Sequence, residues 1–308
     1  MKIKKPKFWD LSKPNIYAYI LYPLSLIIKI INFLKTMQVS KKFKIKTICV
    51  GNIYLGGSGK TSLSIKINNI LKSKNIKTCF VKKFYENQTD EQKILKDKGN
   101  LFVSKNRIDS LIQAEKEGYE VAIFDDGLQD KSIDYDLKIV CFNNLNWIGN
   151  GMTIPSGPLR ENINVLKKYE NVFLNGNLED LEKLKQYIYN INPNINLYVG
   201  KYVPINLNEF KKDEKYIVFS GIGNHNTFVS MVKNNGFEVI REIEFPDHYN
   251  YSEKEINDIL SEAKKLNCEI ITTEKDMSRL NQKYLNKIKI LKSELKIIDE
   301  DNFIKSVI

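Results

Sequence analysis

The sequence predicts an α/β protein with a mostly parallel sheet and flanking helices, a second and smaller α/β lobe, and an amphipathic N-terminal helix. Three observations lead there. From Thr47 onward, short β-branched runs alternate with helical stretches, the pattern of strands joined by helical crossovers. One early strand empties into a glycine-rich turn that ends in Lys-Thr and opens a helix. Before it lies an apolar stretch set among lysines.

Composition bounds the reading. A chain of 308 residues, 42% hydrophobic and 28% charged, is globular and long enough for one large or two moderate domains. Its net charge of +11 raises two partners, nucleic acid and an anionic membrane. The location of the charge separates them. Eleven lysines (Lys2, Lys4, Lys5, Lys7, Lys13, Lys29, Lys35, Lys41, Lys42, Lys44 and Lys46) precede residue 49 against the single acid Asp10, so the rest of the chain is close to neutral. That disfavours a nucleic-acid groove across the folded domain. An anionic lipid surface beside the N-terminus fits, at about 1 kcal/mol per basic residue near the headgroups. Nothing indicates a protein partner. Cys49, Cys79, Cys141 and Cys268 each sit in or beside a β-run without metal-ligand spacing, and read as small core residues in a reducing compartment.

The first element is the apolar run from Ile16 to Leu34. As a straight helix it would span ~28 Å, just under the hydrocarbon core of a bilayer, and Pro23 is expected to interrupt it. Beyond the proline, Ser25, Lys29, Asn32 and Thr36 fall on one narrow helical stripe, with Leu, Ile and Phe around the remainder. Lysines flank both sides, so the asymmetry of a spanning helix is missing and a helix lying in the interface is favoured. No small-x-small cleavage site follows Leu34, which argues against a signal peptide. A buried core helix is the alternative reading.

Next comes the run from Cys49 to Thr61. Tyr54, Leu55, Gly56, Gly57, Ser58, Gly59, Lys60 and Thr61 form a phosphate cradle, in which backbone N–H groups converge on an anion and the helix N-terminus adds positive potential. Lys60 is expected to reach the β- and γ-phosphates and Thr61 to ligate Mg²⁺, so ATP and Mg²⁺ are the expected cofactors and the fold reads as P-loop NTPase-type. The pattern G-x-x-x-x-G-K-[ST] asks for glycine at position 54, where the chain has Tyr54.

The remaining strands are expected near 47–51, 78–82, 121–125, 138–142, 171–174, 216–220, 238–243 and 269–273, with helices near 61–73, 108–117, 178–190, 227–235 and 252–266. Ligands of such sheets bind in the loops after the strands. After Val121 to Phe124 come Asp125, Asp126, Gly127, Leu128 and Gln129; alone an Asp-Asp-Gly is a common turn, but behind a phosphate loop it reads as the carboxylate side of a Mg²⁺ site, with Gln129 orienting a water or ligand. In Pro155-Ser156-Gly157-Pro158-Leu159-Arg160-Glu161, Arg160 can stabilise phosphoryl charge and Glu161 can complete a metal shell. Of the two histidines, His225 and His248, the second follows a strand within Phe245-Pro246-Asp247-His248 and is the better proton-handling candidate. Polar stretches around 175–180 and 193–213 are candidate boundaries; the expected organisation is a basic segment 1–45, a nucleotide-binding P-loop domain 46–175 and a C-terminal α/β lobe 176–308 that completes the site.

Taken together, the phosphate loop from Val50 to Thr61, Asp125 to Gln129, Gly149-Asn150-Gly151, Pro155 to Glu161, Gly221-Ile222-Gly223-Asn224, Phe245 to His248 and Thr273-Glu274-Lys275-Asp276 resemble the tetraacyldisaccharide 4′-kinases, the lipid A 4′-kinases of Gram-negative bacteria. The resemblance covers nearly the whole chain, and Tyr54 belongs to that family's own pattern. It implies an enzyme at the cytoplasmic face of the inner membrane that moves the γ-phosphate of ATP to the 4′-hydroxyl of an acylated glucosamine disaccharide 1-phosphate, giving lipid IVA. It also implies Asp90 as the base and His248 as its partner. Departures stand beside that base: Thr89 and Gln92 replace the usual Gly and Pro, and Lys82-Lys83-Phe84-Tyr85 stands where Ser-Arg-Gly-Tyr is common, in a shortened segment. Asn144 stands near a usual Asp and Asp130 in place of a usual His. A dimerising membrane ATPase would carry a lysine where Leu55 stands, and a soluble small-molecule kinase has no use for the basic N-terminus.

Overall fold

The computed structural model describes residues 5–35, 39–85, 89–178 and 180–308, without the side chains of 32–35, 89 and 90. The chain divides into two compact units, Met1–Gly200 with Ile297–Ile308, and Lys201–Lys296. The division falls inside the polar stretch at 193–213 rather than at residue 175, because the strand ending at Asn175 is followed by another strand of the same sheet.

In the first unit, helix α1 (Ile16–Lys35) precedes β1 (Lys46–Gly51), α2 (Lys60–Ser73), β2 (Thr78–Lys83), α3 (Thr89–Lys98), β3 (Leu101–Ser104), α4 (Arg107–Lys116), β4 (Val121–Asp125), β5 (Leu137–Asn143), β6 (Asn171–Asn175), α5 (Glu182–Ile191) and β7 (Asn196–Pro204). The second unit contributes β8 (Lys215–Ser220), α6 (His225–Asn234), β9 (Glu238–Glu244), α7 (Glu253–Leu266), β10 (Glu269–Thr273), the short α8 (Glu274–Met277), β11 (Lys289–Leu291) and β12 (Ser293–Ile298); α9 (Glu300–Val307) returns to the first unit. The larger sheet has the order β12-β7-β6-β5-β1-β4-β2-β3, and its strands from β7 to β3 pair in parallel. The smaller sheet, β11-β10-β8-β9, is parallel throughout.

β1 and β4 are buried along nearly their whole length, as expected of parallel strands covered on both faces. Chain order reverses around β1, which lies between β4 and β5, and this switch point opens the crevice where the phosphate loop leaves the sheet. In the second unit, alternate residues of β8 feed two cores: Tyr216 and Val218 on one face, Ile217 and Phe219 on the other.

The N-terminal helix departs from expectation in one way. It runs unbroken from Ile16 to Lys35 with Pro23 inside it. Pro23 and the residue whose carbonyl loses its partner, Tyr19, are both exposed, so the missing hydrogen bond falls on the open side. Ser25, of the expected polar stripe, is fully buried, donates to Thr153 O at 2.9 Å and shares a 2.8 Å hydrogen bond with Ser156 Oγ. The apolar residues Ile16, Tyr17, Tyr19, Ile20, Leu24, Leu26, Ile27, Ile30 and Ile31 are left exposed. No described helix is long and apolar enough to cross a membrane.

Strand β3, strands β7, β11 and β12, and helices α3, α8 and α9 were not expected from the sequence.

Candidate active site

The phosphate loop leaves β1 at Gly51, where a Cβ would stand 2.5 Å from Leu128 Cγ, so the close approach of the two loops requires glycine. Asn52 then ties the turn from inside: its amide donates to Tyr54 O at 2.6 Å, Gly56 O at 3.2 Å and Ser58 Oγ at 2.7 Å. Asn175, at the end of β6, donates to Ser58 O. Gly59 caps α2 with φ +76, a left-handed conformation that glycine adopts without strain. The first N–H groups of the 14-residue α2 therefore open toward the loop with their dipole.

The loop at 155–161 pairs with the phosphate loop. Leu55 N donates to Pro158 O at 2.8 Å, Arg160 N to Ile53 O at 2.6 Å, and Tyr54 forms an antiparallel bridge with Leu159. Arg160 is thereby aimed at the end of β4: Nη1 lies 3.0 Å from Asp126 Oδ1 and 3.0 Å from Gln129 Oε1. Gln129 in turn donates to Asn52 O at 2.9 Å and to Glu161 Oε1 at 3.1 Å. Lys60 Nζ lies 4.0 Å from Asp126 Oδ1. Burial acts to raise the pKa of Asp126, but Lys60 and Arg160 outweigh it and hold the carboxyl at about 2.

Asp125, fully buried, accepts from Thr61 Oγ1 at 3.1 Å on Oδ2, while its Oδ1 has no hydrogen-bond partner. The site thus brings together Lys60, Thr61, Asp125, Asp126, Gln129, Arg160 and Glu161. Tyr54 is placed differently: its ring is buried and its hydroxyl accepts from Lys5 Nζ at 2.7 Å, so any part it takes in nucleotide binding is through its backbone. Leu55 is 40% exposed.

The comparisons with known proteins agree with one another. A family model described as tetraacyldisaccharide-1-P 4′-kinase matches residues 17–100 and 86–308. The tetraacyldisaccharide 4′-kinase of Pelagibacter ubique is 59% identical over 308 residues, covering 100% of this chain and 98% of that relative. The chain belongs to the tetraacyldisaccharide-1-P 4′-kinase family. The enzyme of the same name from Rickettsia akari is 33% identical, over 98% of this chain and 95% of its own length. A crystal structure of LpxK from Aquifex aeolicus, described as in complex with ATP, shares the fold with a TM-score of 0.67 at 24% identity, covering 95% of this chain and 98% of that one.

Three further motifs of the resemblance, Gly221 to Asn224, Phe245 to His248 and Thr273 to Asp276, lie in the second unit. His248 follows β9 with φ +58; its backbone N–H donates to Gly221 O at 3.1 Å, and its Nε2 lies 3.7 Å from Asp247 Oδ2. The side chain of Asp90, near the start of α3, lies outside the described residues. Asp276 is a fully buried hub that accepts from Gly221 N at 2.9 Å, Tyr251 Oη at 2.8 Å and Thr273 Oγ1 at 2.7 Å.

A divalent cation fits the first unit. Among the described residues no group of three or more His, Cys, Asp or Glu could hold a metal by itself. The unpartnered Asp125 Oδ1 beside Thr61 is the donor set of an ion that completes its shell with phosphate oxygens. Sequence reasoning gave no role to four residues that the structure places here: Asn52, Asn175, Arg107 and Lys82. Arg107 donates to Asp126 O at 2.5 Å and to Asp130 Oδ2 at 3.1 Å. Asn52, one residue past β1, carried a signal, because an amide there is placed to accept the N–H groups and donate to the carbonyls of a turn.

Proposed function

We propose that this chain transfers the γ-phosphate of ATP to the 4′-hydroxyl of a tetraacyldisaccharide 1-phosphate, forming lipid IVA in lipid A biosynthesis. The observation that carries the reading is Asp126, which holds Lys60 and Arg160 in a kinase-family phosphate site. Phosphoryl transfer through a loose transition state asks for positioning and fixed charge rather than covalent chemistry.

Lys60 takes the β- and γ-phosphates, and Arg160, fixed by Asp126 and Gln129, stabilises charge on the transferring group. Thr61 and Asp125 would hold Mg²⁺, with Asp126, Gln129 and Glu161 as its polar surroundings, and the ion would supply neutralisation of the phosphate oxygens. From the motif alone, Asp90 accepts the proton of the acceptor hydroxyl and His248 assists it. A carboxylate is a weak base for an alcohol, so its part is to orient the hydroxyl as the phosphoryl group departs.

The substrate's acyl chains are the reason for the inverted amphipathy of α1. Its exposed Ile and Tyr residues, among lysines, suit a helix seated at an anionic surface while Ser25 ties it to the loop that carries Arg160. We assign the enzyme to the cytoplasmic face of the inner membrane, peripherally bound.

The test is a product analysis. Full-length protein with ATP, Mg²⁺ and the disaccharide 1-phosphate in detergent micelles is expected to give a bisphosphate by mass spectrometry; failure with every acylated disaccharide overturns the assignment. Asp90→Asn is expected to lower kcat far more than ATP affinity, and an equal loss of both argues against a base.

A further inference from the structure

The phosphate end of the sheet contains a lysine shut off from solvent. Lys82 leaves the end of β2 with a side chain 1% exposed. Its ammonium lies 2.6 Å from Oδ2 of Asp125 and 2.7 Å from Oε2 of Glu91 on α3. The same Asp125 oxygen accepts from the hydroxyl of Thr61, the group that a phosphate loop offers to its metal. A fixed positive charge of the protein therefore stands on the carboxylate that is otherwise the metal's.

Two carboxylates gathered around one nitrogen, one of them fully buried, repel each other unless a cation stands between them. Lys82 supplies that cation, with its ammonium 2.6 Å from Asp125 and 2.7 Å from Glu91 and its side chain shut off from solvent. Among the described residues, what Asp125 leaves for an external ion is its Oδ1, buried and unpartnered. A single monodentate oxygen and a threonine hydroxyl are too few ligands for Mg²⁺ without phosphate oxygens.

We propose that Lys82 is a built-in cation: it takes the place of a divalent ion on Asp125 and Glu91, so that the metal enters this site only together with the nucleotide. Lys82 is thus a positioning residue, acting through the two acids. The inference rests on the kinase reading for the nucleotide's identity, and its test requires no phosphoryl transfer, so the two can fail separately.

Mn²⁺ is titrated into the full-length protein without nucleotide, and free Mn²⁺ is read by electron paramagnetic resonance. The wild type is expected to leave Mn²⁺ free, and addition of ATP to bring one Mn²⁺ per chain into the bound pool. Lys82→Met and Lys82→Gln are each expected to bind one Mn²⁺ without nucleotide, at least tenfold tighter than wild type, and to unfold at a higher temperature in its presence. Lys82→Arg, which keeps the charge, is expected to exclude the ion again, a result that a merely space-filling side chain does not produce. Stoichiometric Mn²⁺ binding by the wild type without nucleotide overturns the proposal. So does a folded Lys82→Met or Lys82→Gln protein that binds no better than wild type. Should neither neutral variant fold, the wild-type titration alone decides between the two outcomes.

Discussion

Replacing Asp126 by Asn removes a charge that pairs both Lys60 and Arg160. The carboxyl is 16% exposed and held at about 2 against an ordinary 3.8. At about 1.4 kcal/mol per pKa unit, that depression corresponds to roughly 2 kcal/mol of stability at neutral pH. The sign follows from a folded pKa below the unfolded one: the contribution is fully present above the unfolded value and is lost as pH falls toward the folded value. Both tryptophans, Trp9 and Trp147, belong to the first unit, so urea unfolding followed by tryptophan emission reports on the unit that carries Asp126. Asp126→Asn is expected to be roughly 2 kcal/mol less stable than wild type at pH 7, with a gap that narrows below about pH 4. A gap that is the same at pH 7 and pH 3, or no gap at pH 7, refutes the reasoning.

Three further outcomes follow from particular residues. Gly51→Ala drives a methyl group into Leu128, at a cost of about 1–3 kcal/mol for overpacking, read as a lower urea midpoint together with weaker ATP binding. The pair Ile20→Lys and Ile27→Lys, on the exposed face of α1, is expected to reduce cosedimentation with anionic vesicles while leaving activity in detergent micelles within about twofold; unchanged cosedimentation counts against the membrane assignment. Asp276→Ala removes the acceptor of four donors, Gly221 N, Tyr251 Oη, Thr273 Oγ1 and Arg279 Nη1, and is expected to destabilise the second unit by about 3 kcal/mol, measured by hydrogen exchange in β8 and β10, with the tryptophan-reported transition of the first unit unchanged.

What the sequence disclosed was local. The strand before Gly51, the turn and the helix from Lys60 are contiguous, so their chemistry is written in adjacent residues. The acids after β4 were legible for the same reason. Lys82 was not, because a lysine at a strand end reads as solvated, and its partner Asp125 is brought to it only by β2 pairing with β4. Helix α3 was hidden by its composition: most of it is polar, and Leu95 is its one buried residue among those described. Strand β7 lies in an asparagine-rich stretch that resembles a linker, yet it pairs in register with β6. For α1 the stripe through Ser25 was visible, but not what Ser25 would bind, since the hydroxyl's partners at Thr153 and Ser156 are distant in sequence.

The most direct test of the account is the coupling of ATP consumption to acceptor. With excess ATP and Mg²⁺, phosphorus NMR of the reaction with the disaccharide 1-phosphate is expected to show one ADP and one new phosphomonoester at the 4′ position per turnover, with Lys60→Ala silent. ADP formed at the same rate without acceptor, and no new phosphomonoester with it, would contradict the account.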